Sequence, residues 1–221
     1  MRRIIFSIVG ILVAACLNIT AAHAGVQDDV DQAVTIIQRF QAIPERAVPD
    51  WVLRNAKGLA ILTVTKAGFI GSARGGSGIV IARTEKGWSA PSAIGTGGLG
   101  VGFQAGVEIT EFVIVLNTQE AVEAFSKGGN LTLGANLSAA AGPVGRTAEA
   151  NVALQAAMYT YSISQGLFAG VSLEGTVIAT RDEANAEYYG KQIAAKDILA
   201  GKVKPPAGER KLLQVLSKYS A

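Results

Sequence analysis

Glycine is concentrated in segments whose other residues alternate between apolar and polar, as β-strands do. The chain has 26 glycines in 221 residues, and several lie inside such segments: Gly98, Gly100, Gly102, Gly106, Gly134, Gly170 and Gly175. Glycine within a strand marks a bulge, a tight bend or a close approach of two backbones. A strongly coiled sheet or a small barrel needs such positions. The pattern therefore predicts a Gly-rich sheet that is strongly coiled or closed into a small barrel.

The order of the predicted elements decides the fold class. Helical periodicity covers residues 26–43, with Val30, Val34 and Ile37 on the apolar face and Asp29 and Arg39 off it. The other predicted helices are 49–56, a short one capped by Asn117, 180–201 and 209–219. Strand-like alternation covers 59–65, 77–83, 98–109, 112–117, 130–139 and 157–180. The order begins with helices, continues with strands that contain one inserted helix, and ends with helices. This order favours an α+β fold with a mostly antiparallel sheet. N-terminal and C-terminal helices pack against that sheet.

The first 24 residues have the three parts of a secretory signal peptide. Arg2 and Arg3 are basic, residues 4–17 are apolar, and Ala22-His23-Ala24 is a cleavage site. Residues 25–221 are then predicted to form one domain that is periplasmic or secreted and associated with the envelope. A second interpretation stays open, because Val13-Ala14-Ala15-Cys16 resembles the lipobox of bacterial lipoproteins. In that case Cys16 carries a lipid anchor.

Cysteine and histidine are absent after residue 24, since Cys16 and His23 are the only ones in the chain. A Ser-His-Asp triad, a cysteine nucleophile, a Cys/His zinc site and a disulfide framework are excluded from the remainder. We therefore expect a chain that is not an enzyme and that carries neither a metal nor a cofactor.

Net charge gives little long-range attraction for an anionic partner. The chain is +3 overall, and part of that excess lies in Arg2 and Arg3. Nucleic-acid binding requires a stronger basic excess on one face, so we expect no nucleic-acid partner. An anionic partner would instead be held by a local group of cations.

One such group is predicted at the ends of the Gly-rich strands. Strand ends of one sheet can converge, and a cationic rim beside exposed backbone N–H groups suits phosphate. The predicted phosphate-binding residues are Lys66, Arg74, Arg83, Lys86 and Arg146. Trp88 follows a tight turn and is predicted either as a half-buried aromatic of the sheet edge or as a membrane contact. Glu108 and Glu174 lie in alternating segments, and we expect both to face solvent.

At these residues the chain resembles the SYLF-domain family. The block Arg74-Gly-Gly-Ser-Gly-Ile-Val-Ile-Ala-Arg83 carries the resemblance, together with residues 56–61, 66–69, 87–91, 142–146, 161–175 and 188–190. The resemblance implies a bacterial, exported, lipid-binding domain that recognises anionic, phosphoinositide-like headgroups. An anionic phospholipid membrane is then the expected partner. Some eukaryotic members of the family engage actin regulators, and the alternative is an envelope assembly protein that acts through protein–protein contacts.

The signal peptide gives a direct prediction about the exported protein. Cleavage after Ala24 should leave Gly25 as the mature N-terminus, because the A-x-A site ends there. Intact-mass analysis of the exported protein measures this. An acylated Cys16 terminus would contradict it and would show a lipoprotein.

Overall fold

A computed structural model describes residues 25–68, 71–101, 106–127, 131–132, 139–143, 156–166, 177–204 and 206–219. The helices are α1 (Val26–Ala42), α2 (Asp50–Asn55), α3 (Gln119–Ser126), α4 (Asp182–Tyr189), α5 (Ala195–Leu199) and α6 (Arg210–Leu216). Two short 3₁₀ turns, Ala207–Glu209 and Ser217–Tyr219, flank α6. The strands are β1 (Gly58–Gly68), β2 (Gly71–Thr84), β3 (Gly87–Trp88), β4 (Ser92–Val101), β5 (Gly106–Leu116), β6 (Leu131–Thr132), β7 (Ala139–Ala141), β8 (Met158–Gly166) and β9 (Val177–Thr180).

The strands form one sheet in the order β6-β9-β4-β2-β1-β5-β8-β7, with β3 beside β2. Every pairing is antiparallel except β7 with β8. The predicted α+β class with a mostly antiparallel sheet is therefore confirmed. The prediction of a small barrel is wrong, because β6 and β7 end the path without pairing with each other in the described part of the chain.

Both faces of the sheet are covered by helices over half its length. In β1, β2, β4, β5 and β8 the register keeps odd-numbered residues on one face and even-numbered residues on the other. The odd face packs against residues of α1, α2 and α6, and the even face against residues of α3 and α5. A strand buried on both faces contains a continuous apolar run. Residues 59–62, 79–82 and 112–116 are such runs.

Helix α1 matches its prediction closely, because its sequence carries both its apolar face and its end signals. Val30, Ala33, Ile37 and Phe40 are buried. The Asp28 carboxylate accepts a hydrogen bond from the backbone N–H of Gly25 (3.1 Å), as expected for an acidic residue in the first turn. The helix stops before a proline, a position that disfavours helical backbone.

Several predicted boundaries differ from the structure. The predicted strand 98–109 is divided between β4 and β5. The predicted helix 180–201 is two helices, and the first ends at Gly190, whose φ of 66° is left-handed. Thr118, not Asn117, caps α3 by accepting from the N–H of Ala121 (3.2 Å). The Asn117 side chain instead donates to the carbonyl of Ala156 (2.9 Å).

Gly78 lies where β2 and β1 come too close for any side chain. A Cβ built on it would overlap the carbonyl oxygen of Ile61 and the Cα of Leu62. A Cβ built on Gly97 of β4 would meet no atom within 4 Å. The two glycines therefore occupy contrasting positions of the same sheet.

This contrast yields a stability prediction. Gly78→Ala should lower the free energy of unfolding by about 1–3 kcal/mol, because the added methyl group forces the two backbones apart. Gly97→Ala is the matched control and should change the free energy by less than about 1 kcal/mol. Urea denaturation of both variants measures the difference. Equal effects of the two substitutions would contradict the close approach of β1 and β2.

Candidate functional site

The predicted cationic residues lie at two separate ends of the sheet. Lys66 and Arg74 are direct cross-strand partners on the even face. Arg83 and Lys86 lie near the other end of β2, nine residues further along, which is roughly 30 Å at the rise of a strand. Arg146 lies outside the described residues. The structure therefore does not bring the described members of the predicted rim together.

The Arg83 guanidinium is used inside the protein. Its Nε donates to the carbonyl of Ala56 (3.0 Å), and its Nη2 donates to those of Leu53 (3.2 Å) and Tyr219 (3.0 Å). Burial lowers its pKa from the ordinary value. These bonds join the end of α2 and the C-terminal 3₁₀ turn to β2. The geometry assigns Arg83 a structural role that its position at a strand end does not reveal.

Trp88 lies in the hydrophobic core and not on an exposed edge. Its side chain is 8% exposed, and the Arg83 guanidinium lies 4.2 Å from the ring centre. Such a stacked cation adds to the stability of a buried ring.

Glu108 is buried, contrary to the expectation that it faces solvent. It is 1% exposed, and it lies directly across from Lys66 in the register of β5 and β1. Neither of its carboxylate oxygens has a hydrogen-bond partner in the described part of the chain. Its even number places it on the face of Phe112 and Ile114, so following the strand alternation backward from those residues would have predicted its burial.

A line of polar side chains marks where α1 crosses the odd face of the sheet. Asp29 of α1 accepts from Ser77 Oγ (2.6 Å) and from Arg181 Nη1 (2.8 Å). Arg39, ten residues further along α1, pairs with Glu111 of β5. Burial raises the pKa of Asp29, although the bonds from Ser77 and Arg181 oppose that shift. Asp29 and Arg39 were predicted to lie off the packed face, and the structure uses both to fix the helix.

Beyond this line none of the helices in the described part of the chain packs against the odd face of the sheet. We call this area the bare face: Thr65, Ala67, Ala73, Gly75, Gly97, Val107, Ile109 and Gln165. Val107 is 58% exposed and Ile109 is 44% exposed. Neither Gly75 nor Gly97 has an atom within 4 Å of a built Cβ. The bare face is apolar along β5 and free of charged side chains at these eight positions.

Comparison with known proteins identifies the family. The sequence profile of the Ysc84 family, described as "Las17-binding protein actin regulator", matches residues 97–219. The chain belongs to the Ysc84, or SYLF-domain, family. The human "SH3 domain-containing YSC84-like protein 1" is 50% identical over 205 residues, which are 89% of this chain and 60% of the human protein. The Saccharomyces cerevisiae "LAS seventeen-binding protein 3" is 51% identical over 177 residues, which are 78% of this chain and 39% of the yeast protein.

These names correct the predicted partner of the Ysc84-family chain. The partner that they state is a protein, Las17, and none of them names a lipid. The prediction of an anionic phospholipid membrane as the partner is therefore wrong. None of the helices in the described part of the chain has the length and apolar character needed to cross a membrane. The described residues also include no group of three or more His, Cys, Asp or Glu placed to hold a metal ion.

A buried carboxyl group lies in the C-terminal region of this Ysc84-family chain, next to a residue that bonds to α1. Glu209 is 0% exposed, and its oxygens have no hydrogen-bond partner among the described residues. Beside it, Gln27 of α1 donates to the carbonyl of Gly208 (3.3 Å) and accepts from the hydroxyl of Tyr188 (3.2 Å). Burial raises the pKa of Glu209 from 4.5 to about 8.

The raised pKa of Glu209 predicts how stability depends on pH. Between about pH 4.5 and pH 8 the folded chain keeps a proton that the unfolded chain releases. The stabilisation from this proton is therefore complete below the pKa of Glu209 in the unfolded chain, and it is lost as the pH rises through the pKa of Glu209 in the folded chain. The melting temperature should fall from pH 5 to pH 8, and Glu209→Gln should reduce that fall because an amide cannot ionise. The raised pKa of Asp29 adds a fall in the same direction to both wild type and the Glu209→Gln variant. Equal falls in wild type and variant would contradict the assignment to Glu209.

Proposed function

We propose that this Ysc84-family chain is a non-enzymatic protein-binding module and that the bare face is its docking surface. The observation that carries the proposal is the pair of exposed side chains Val107 and Ile109 on a sheet that is otherwise well packed. They are the exposed large hydrophobic residues of the described part of the chain. A contiguous apolar area on a protein surface is typical of an interaction site.

The shape of the bare face supports a partner that approaches closely. Val107 and Ile109 lie two residues apart on β5 and therefore share the odd face. On the other side of β1 from β5, Gly75 and Gly97 have no side chains, so the backbone is exposed there with open space above it. A projecting ring or aliphatic side chain of a partner can rest on those glycines while its neighbours contact β5.

Charge favours a protein over a lipid surface at this site. Attraction to anionic headgroups depends on basic side chains close to the membrane, and none of the eight residues of the bare face is basic. Lys66 and Arg74 lie on the even face. The family description and the name of the yeast relative, which state that those proteins bind Las17, also support a protein partner. The predicted signal peptide supports a module that acts in the envelope.

Purified Las17 is the probe for this proposal, because it is the partner named for the family. Wild type should bind Las17, and Val107→Lys/Ile109→Lys and Val107→Glu/Ile109→Glu should each weaken binding by about tenfold or more, which corresponds to ~1.4 kcal/mol. Both signs of charge should act alike because the contact is apolar. Calorimetric titration measures the affinities.

Ser162 provides the matched control, since it is an exposed strand residue on the even face of β8. Ser162→Lys and Ser162→Glu should bind Las17 as wild type does. Absence of binding by wild type, or equal binding by the Val107/Ile109 variants, would overturn the proposal. Binding to phosphatidylglycerol vesicles that depends on Val107 and Ile109 would overturn it as well.

A further inference from the structure

An open cleft of about 560 Å³ lies at the end of the sheet opposite the bare face. The β2–β3 turn forms one side with Lys86 and Trp88, and segment 201–204 forms another with Lys202 and Lys204. Helix α6 contributes Leu213. The volume lies within the usual range of ligand sites, about 300–1,000 Å³.

The charged side chains of the cleft are all lysines. Lys202 Nζ already pairs with Asp197 (2.7 Å). Lys86 and Lys204 make no ion pair within the described part of the chain. None of the described residues that line the cleft is acidic. The cleft therefore has two ammonium groups available to an anionic ligand.

One residue that lines the cleft has a hydrogen-bond donor without an acceptor. The indole N–H of Trp88 is buried and has no partner among the described residues. Buried polar groups are normally paired, so each exception calls for an explanation. The residue with this unpaired N–H is also one of those that line the cleft.

The remaining lining distinguishes between possible anions. Ala90, Val203 and Leu213 add apolar surface between the lysines. Arginine and helix N-termini usually bind phosphate. The described lining includes no arginine, α6 contributes Leu213 and not its first residues, and Ser217 belongs to the 3₁₀ turn that follows α6. The two available lysines come from separate segments, so they suit a ligand whose single negative charges are spread along its chain. The apolar residues of the lining suit apolar side chains that the ligand carries between those charges.

We propose that this cleft binds an acidic protein segment in which aspartate or glutamate alternates with apolar side chains. The carboxylates pair with Lys86 and Lys204, and the apolar side chains pack on Val203 and Leu213. The site does not depend on the bare face. Nine residues of β2 separate Gly75 of the bare face from Thr84 of the cleft, which is roughly 30 Å.

The probe is a short synthetic peptide of repeating Glu-Asp-Leu units, and its matched control has Gln-Asn-Leu units. Trp51→Phe leaves Trp88 as the remaining tryptophan, so fluorescence in this background reports on the cleft. The acidic peptide should give a saturable change, and the amide peptide should bind about tenfold or more weakly. Rising salt should weaken the binding, because exposed charges are screened.

Lysine variants in the same background test the site. Lys86→Gln/Lys204→Gln should weaken the binding of the acidic peptide by about tenfold or more. Lys127→Gln/Lys191→Gln removes the same charge from exposed positions elsewhere and should have no effect. Val107→Lys/Ile109→Lys should also bind the peptide as wild type does, which separates this site from the proposed function. Unchanged melting temperatures show that the variants are folded.

Three results would overturn the proposal. The first is the absence of a peptide-dependent change, and the second is equal affinity of wild type and Lys86→Gln/Lys204→Gln. The third is an equal response to inorganic phosphate or to phosphatidylglycerol vesicles with the same dependence on Lys86 and Lys204. That response would show a site for small anions or for lipid headgroups.

Discussion

The position of α1 across the sheet determines which part of this protein is core and which part is surface. Two ion pairs set that position, Asp29 with Arg181 and Arg39 with Glu111. Removing one partner from a buried pair leaves a charge without compensation, which costs far more than an exposed pair contributes. Asp29, Arg181 and Glu111 are largely buried, whereas Arg39 is partly exposed, so it is above all the Asp29–Arg181 pair that makes other orientations of the helix unfavourable. On one side of α1 the odd face is covered, and on the other side Val107 and Ile109 are exposed.

The covered half of the fold was largely predictable from the sequence. Helix α1 has a 3.6-residue period and clear end signals, and residues 59–62 and 112–116 are apolar enough to identify the central strands. The sequence did not predict whether the sheet is open or closed into a barrel, because glycine allows a strand to bend but does not determine whether the edge strands of the sheet pair. Gly78 shows this, since it is required where β1 and β2 approach closely. The division between β4 and β5 was missed because glycine-rich alternation continues through residues 98–109 without a marked turn.

The candidate sites were less predictable because they depend on contacts between distant residues. Position at a strand end suggested that Arg83 is exposed, but carbonyl groups from α2 and the C-terminal turn converge on its guanidinium. Trp88 was expected either at the sheet edge or at a membrane, and its stacking against Arg83 places it in the core. Glu108 is the exception, since its burial follows from strand alternation alone. The bare face has no sequence motif, because it is defined by where the described helices do not cover the sheet.

The Asp29–Arg181 pair joins residues that are 152 positions apart in the chain, and this separation bears on the order of folding. A contact of such sequence separation requires a large loss of chain entropy before it can form. Helix α1 has local signals sufficient to begin forming early, but its partner follows β9, the last strand of the sheet. Final docking of α1 must therefore await most of the sheet. Until then the apolar side of α1 and the apolar residues of β1 and β2 lack their final cover, so this interval is the stage of folding most open to aggregation.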